Sequence, residues 1–212
     1  MADTHDFTKE EELSNSITHG IGALLSVAAL VILIVFASLY GNAWHIVSFT
    51  IFGVTMVLLY TSSTLVHGLR PGRGKDFFEI MDHAAIYIFI AGTYTPFMFI
   101  AVKGWVGWTL FGIVWGLAIG GTIFKAFFVK KFIFASTGLY VVMGWLIVFA
   151  WGDLTANLHP TGLVFLAIGG LAYTFGAVFY MWKLFKHHHA VWHLFVICGT
   201  VCHFFAVLYL LK

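Results

Sequence analysis

What most constrains this chain is a hydropathy pattern: seven stretches, each long enough to cross a bilayer, follow one another with only short polar breaks. A transmembrane helix needs about 20 mostly apolar residues. The breaks fall at "YGNA", "GLRPGRGKDFFE", "KGW", "VKK", "WGDLTANLHP" and "KLFKHHH". They delimit spans near 17–39, 44–68, 80–102, 105–128, 132–151, 161–183 and 190–211. In hydrocarbon each backbone N–H and C=O must be paired within its own segment, so runs of this length are helices. The predicted fold is therefore all-α, a polytopic membrane protein of seven transmembrane helices. A tail over residues 1–16 precedes a membrane domain over 17–212. Only 9% of the residues are charged, against about a quarter in a soluble domain, so the outside must be apolar as well. A net charge of +2 leaves no basic face for nucleic acid, and no such partner is expected.

Lys and Arg in short loops set orientation. With the N-terminus inside, Lys9, Arg70, Arg73, Lys75, Lys125, Lys130, Lys131, Lys183 and Lys186 lie on the cytoplasmic side. Only Lys103 and Lys212 lie outside. This asymmetry predicts N-in, C-out. The opening "MADTHDFTKEEELSNS" has no basic n-region or small-residue cleavage site, so no cleaved signal peptide is expected. The first span is expected to act as an uncleaved insertion signal. Cys198 and Cys202, one turn apart in an apolar span, read as small buried residues rather than a disulfide framework. Gly112, Gly116 and Gly120 repeat every four residues in the fourth span, a pattern that predicts close helix–helix packing.

Ionisable residues inside a membrane are costly and read as functional by default. The predicted topology places His67 at the cytoplasmic end of the second span and Asp82 with His83 at the start of the third. His189 and His193 open the seventh, and Asn15, Thr18 and His19 open the first. Four helices thus present polar groups at one level of the cytoplasmic leaflet, and the histidines played no part in choosing the orientation. His189 and His193, four apart, share one helix face with about 6 Å between them. Two imidazoles so placed can serve one Zn²⁺ at about 2.0–2.1 Å, and His67 would complete three ligands. Ser63 is also four residues from His67 and lies on the same face.

Three histidines with one open position match catalytic zinc, which lowers the pKa of its water toward about 7. Asp82 would hold that water, act as general base, or orient a ligand. The bland alternative is a set of unconnected helix-end histidines, and on spacing and depth alone the two readings stand level. His5, His187 and His188 read as solvated or backbone-bonded, and His45 and His159 as interfacial. His203, about 15 Å beyond His193 along the helix, reads as a buried, hydrogen-bonded side chain. "RPGRGKD" lacks the spacing of a phosphate loop and reads as a basic loop against anionic headgroups.

"EELSNSITHGIGALLS", "SSTLVHGL", "IMDHAAIYIFIAGTYTPF" and "HAVWHLFVICGTVCHFFAV" resemble the bacterial haemolysin III family. That family is the prokaryotic branch of the superfamily containing the adiponectin and progestin receptors. The resemblance spans nearly the whole chain, with its motifs in order. It implies zinc held by His67, His189 and His193, with Asp82 near the zinc-bound water and Ser63 beside the site. The family's N-terminal run falls on Glu11, Glu12, Asn15 and His19, where capping or a hydrogen-bonded plug and a chemical role are both open.

Three functions follow as expectations. The first is a zinc-dependent hydrolase of lipid amide or ester bonds in the bacterial inner membrane, with a membrane lipid as substrate. Asp82 and Ser63 would be its catalytic groups. The second is a non-enzymatic sensor of membrane state with structural zinc. The third, ranked well behind, is a pore, for which intramembrane charge near the midplane or broken helices should be evident.

Overall fold

The computed structural model describes residues 7–182 and 185–212; the readings of His5 and Lys183 fall outside these. Among the described residues all regular structure is helical. The elements are α1 (Lys9–Tyr40), α2 (Ala43–Gly68), α3 (Arg73–Ile100), α4 (Gly104–Phe128), α5 (Ile133–Trp145), α6 (Trp151–Asn157), α7 (Pro160–Met181) and α8 (His188–Leu208). A 3₁₀ turn over Leu146–Ala150 joins α5 to α6, so those two form one span of 25 residues, Ile133–Asn157. Seven stretches are then long and apolar enough to cross a membrane.

Local sequence sets the helix ends. Thr8 caps α1, accepting from the Glu11 N–H while Glu11 returns its carboxylate to the Thr8 N–H. This reciprocal box satisfies donors that the first turn leaves free. Helix α1 therefore starts at Lys9 rather than near 17, and its polar first turns rise beside the bundle. Asn42 caps α2 by accepting from the Trp44 and His45 N–H groups, which makes a tight reversal after Gly41.

Helix α3 is the central element, with two thirds of its span buried. It packs along α2 and α4; α1 lies against α2 and α8, and α7 against α8. Between α2 and α3 the contact is close: a Cβ on Gly92 would lie 2.0 Å from Thr55 Oγ1. Helix α5 meets its neighbours more sparsely, and the space it leaves against α3, α7 and α8 is a cavity.

Two expectations about packing are overturned. Gly112, Gly116 and Gly120 face outward, and a Cβ on any of them would meet nothing within 4 Å. The buried stripe of α4 is instead Gly107, Leu110, Val114, Ala118, Gly121 and Lys125, and Gly121 is the glycine pressed against a neighbour, the Tyr87 ring. Cys198 is exposed and Cys202 half-buried. Cys198 is five residues past His193, roughly 140° around the helix, so facing His193 inward turns the cysteines toward lipid.

The fifth span is broken, contrary to the reading of it as one continuous helix. Its 3₁₀ turn leaves backbone groups that lipid cannot satisfy. The Tyr94 hydroxyl donates to the Met143 and Gly144 carbonyls at 2.9 and 2.7 Å, so α3 supplies what the broken helix lacks.

Candidate metal centre

The end of α2 and the start of α8 meet at one level of the bundle and bring His67, His189 and His193 together. One ring nitrogen from each lies within 4.8 Å of the others, a set that can hold a metal ion. Ring centroids are 5.1 Å apart for His67 and His189, 5.4 Å for His67 and His193, and 4.6 Å for His189 and His193. All three are at least nine-tenths buried, and His193 is completely so. The i, i+4 spacing on α8 thus gives the shared face that the sequence predicts.

The outer partners fix which nitrogen is free. His67 Nδ1 lies 2.6 Å from Glu12 Oε2, whose other oxygen takes the Lys75 ammonium. A carboxylate so held only accepts, so His67 carries its proton on Nδ1. His193 Nδ1 faces the Asn15 carbonyl at 3.2 Å and Thr18 Oγ1 at 3.0 Å. The Thr18 hydroxyl gives its proton to the Ser14 or Asn15 carbonyl, so it accepts from the imidazole. His193 is therefore also the Nδ1–H form. The Nε2 atoms of both rings are buried, with no hydrogen-bond partner among the described residues. Two desolvated lone pairs, each on a ring anchored through its other nitrogen, are the condition that imidazole ligands of a metal meet. The residues fit a metal ion.

Ser63, one turn from His67, is fully buried, and its hydroxyl has no hydrogen-bond partner among the described residues. Asp82 is buried on α3 and reaches the same region. Its neighbour His83 donates from Nδ1 to the Glu79 carbonyl at 2.9 Å, which leaves Nε2 to accept from the Tyr180 hydroxyl at 3.3 Å.

Sequence reasoning placed His19 at this level but not its contact with a ligand, and it missed Phe7, Tyr180 and Trp192 altogether. The His19 ring stacks on His193 with centroids 3.4 Å apart and planes 12° from parallel. Both His19 nitrogens are buried without a hydrogen-bond partner among the described residues. Phe7 lies against His67 and His189, at 5.7 and 4.8 Å between ring centres. Tyr180 and Trp192 look like ordinary apolar-helix aromatics in the sequence. Only the Glu11-Glu12-Asn15-His19 run carried a signal, its polar residues keeping a helical spacing into the first span. Of the other histidines, His188 bonds the Phe179 carbonyl at 2.9 Å and His203 the Leu166 carbonyl at 3.2 Å, as expected, and His159 caps α7. His187, read as solvated or backbone-bonded, turns its ring to Ser14 Oγ at 2.8 Å instead.

Two cavities approach the cluster. A mostly apolar one of about 190 Å³ runs between α3, α5, α7 and α8, past Phe89, Tyr173 and His203. A polar vestibule of about 380 Å³ is lined by His67, His189, Glu12, Lys75, Glu79 and Lys130, among others. Asp82, Ile86, Tyr180 and Trp192 line both. The two meet beside the histidines.

Fold and site define a class: a multi-pass α-helical membrane protein with a three-histidine cluster, able to hold a metal, where two helices end. Within that class the chain belongs to the haemolysin III family, since the family described as "Haemolysin-III related" matches residues 7–204. It is 56% identical over 203 residues to the "Hemolysin-3 homolog" of Bacillus subtilis (strain 168), covering 96% of this chain and 95% of that protein. With the "Hemolysin-3" of Bacillus cereus the identity is 52% over 200 residues, covering 94% and 91%. It is 29% identical over 204 residues to the human "Monocyte to macrophage differentiation factor", covering 93% and 83%. No solved structure matches the chain.

Proposed function

We propose that this protein is a zinc-dependent hydrolase of lipid amide or ester bonds, seated in the bacterial cytoplasmic membrane with its N-terminus in the cytoplasm. The observation that carries the reading is the meeting of an apolar cavity and a polar vestibule at Asp82, beside the three histidines. A lipid with a scissile carbonyl has this same division, an acyl chain on one side and a polar group on the other.

His67, His189 and His193 would hold the zinc. When bound there, the ion supplies Lewis acidity to a carbonyl oxygen and acidifies a coordinated water. The chain's own residues do the rest. The apolar cavity takes the acyl chain and excludes bulk water. Asp82 accepts a proton from the attacking water and returns it to the departing nitrogen or oxygen. The acyl carbon gains the hydroxyl as the amide or ester bond breaks. Ser63 offers its hydroxyl to the polar atoms around that carbonyl. Water reaches the site, and the polar product leaves it, through the vestibule.

Purified protein in detergent, incubated with an N-acyl sphingosine and with a phospholipid, tests this by mass spectrometry of released fatty acid. Elemental analysis is run in parallel. About one zinc per chain is expected, lost in the combined His67→Ala, His189→Ala, His193→Ala variant. Asp82→Asn should keep the zinc and lose turnover by about 10²-fold or more. Wild-type protein that is folded yet takes up no zinc overturns the reading. A second reading rests on the ligands coming from two helices that α1 braces, which suits a structural clamp in a sensor of membrane state. Zinc retained with no turnover of any lipid amide or ester would favour the clamp.

A further inference from the structure

Helix α1 contributes none of the three histidines, yet its first three turns hold both helices that do. Its glutamates take separate partners: Glu10 pairs with the Lys186 ammonium, Glu11 accepts from the His187 N–H at 3.2 Å, and Glu12 takes His67 and Lys75. His187 sits at φ 64°, a left-handed conformation uncommon for a residue with a Cβ. Its ring is tied to Ser14 Oγ at 2.8 Å. Of these contacts, one reaches a candidate ligand with an ionised group.

We propose that Glu12 is a positioning residue of the metal centre. Its carboxylate, clamped by Lys75, holds the His67 imidazole in one tautomer and orientation and makes Nε2 a stronger donor to the ion. Three observations carry this, and it rests on the metal reading above. The Glu12–His67 contact is short, at 2.6 Å. It is largely sheltered, with side-chain exposures of 22% for Glu12 and 7% for His67. The imidazole atom left over, Nε2, is buried and has no hydrogen-bond partner among the described residues. A carboxylate on the far nitrogen of a metal-bound histidine raises its basicity, and its loss typically costs 10–100-fold in metal affinity. Because Lys75 holds the other oxygen, the carboxylate need not be oriented anew when the ion binds. Glu10 is the internal contrast: it lies in the same turn and makes an exposed ion pair that touches no ligand.

The test is zinc affinity of the full-length protein in detergent, measured by competition with a chromogenic chelator, for wild type, Glu12→Gln and Glu10→Gln. Gln keeps the shape and can still accept from His67, so the first variant removes the charge, together with the pair to Lys75, while leaving the His67 contact an acceptor. The expected result is a loss of about 10-fold or more for Glu12→Gln, with Glu10→Gln like wild type. Cobalt loaded at saturation should give the same visible d–d spectrum in wild type and Glu12→Gln, because the ligand set is unchanged. If Glu12→Gln does not fold, Glu12→Asp, which keeps the charge but withdraws it from His67, is read the same way. Equal zinc affinity in Glu12→Gln and wild type overturns the proposal, as does an equal loss in Glu10→Gln. Wild type that binds no zinc removes the metal reading itself and this inference with it, so the two failures are separate.

Discussion

At the scale of single residues, the site concentrates buried polar atoms of His19, Ser63, His67 and His193 that have no hydrogen-bond partner among the described residues. An unpaired buried hydroxyl costs about 1–3 kcal/mol, so each one marks a place where stability was not the only requirement. Ser63 gives the simplest test. Its hydroxyl has no hydrogen-bond partner among the described residues, so Ser63→Ala removes a desolvated group without breaking a bond. The variant should melt at the wild-type temperature or above in the presence of chelator, measured in detergent. It should also lower turnover of a lipid amide if the hydroxyl faces the scissile carbonyl. Destabilisation of the metal-free protein would instead mean that Ser63 has a structural partner. Tyr60 and Tyr173 make the contrast. Their hydroxyls share Thr200 Oγ1 at 2.7 and 2.9 Å, a satisfied network that ties α2 and α7 to α8.

At the scale of elements, what decides a helix face is the partner across from it. Gly92 and Gly116 are both glycines in apolar helices, and the sequence treats them alike. A Cβ at Gly92 would sit 2.0 Å from Thr55 Oγ1 and 2.9 Å from its Cβ, which cannot swing away. A Cβ at Gly116 would meet nothing within 4 Å. Gly92→Ala should therefore destabilise by about 1–3 kcal/mol, while Gly116→Ala should stay within about 0.5 kcal/mol of wild type. Reversible denaturation in mixed micelles measures both; equal effects would mean that α2 and α3 do not approach as closely as described. The broken fifth span belongs to this scale too. A 3₁₀ turn survives at membrane depth where carbonyls find other donors, and here Tyr94 supplies one. The break lines the apolar cavity at Ile147. Among the described residues it joins no chain of buried charge, so it serves the cavity wall better than a transport path.

At the scale of the molecule, the loop charges predict a direction. Among the described residues, eight of the ten Lys and Arg side chains, all but Lys103 and Lys212, belong to helix ends and loops on the same side as the start of α1. Alkaline phosphatase fused after Lys212 should be active in a bacterial host, and a fusion in the 69–79 loop inactive. The reverse pattern would place the histidine cluster in the outer leaflet and sink a cytoplasmic-leaflet hydrolase. In that predicted direction the vestibule, lined by Lys75 and Lys130, would open on the cytoplasmic side, with the apolar cavity deeper between the helices.

By itself the sequence determined the seven spans, because backbone pairing in hydrocarbon leaves long apolar runs only the helix. It also placed His189 and His193 on one face, since 3.6 residues per turn admits no other arrangement at that spacing. Predicted topology put His67 at the same level as a third ligand, and motif resemblance joined it to them from 122 residues away. Tertiary structure alone decided what stands behind the ligands. That Glu12 meets His67, that Thr18 takes the proton of His193, and that His19 stacks on His193 depend on how α1 lies against α2 and α8. Such contacts between distant segments leave no periodic trace in a chain. The same holds for the outward turn of Gly112, Gly116 and Gly120 and of the cysteines. An apolar face looks identical in sequence whether protein or lipid covers it, because both are apolar solvents for a side chain.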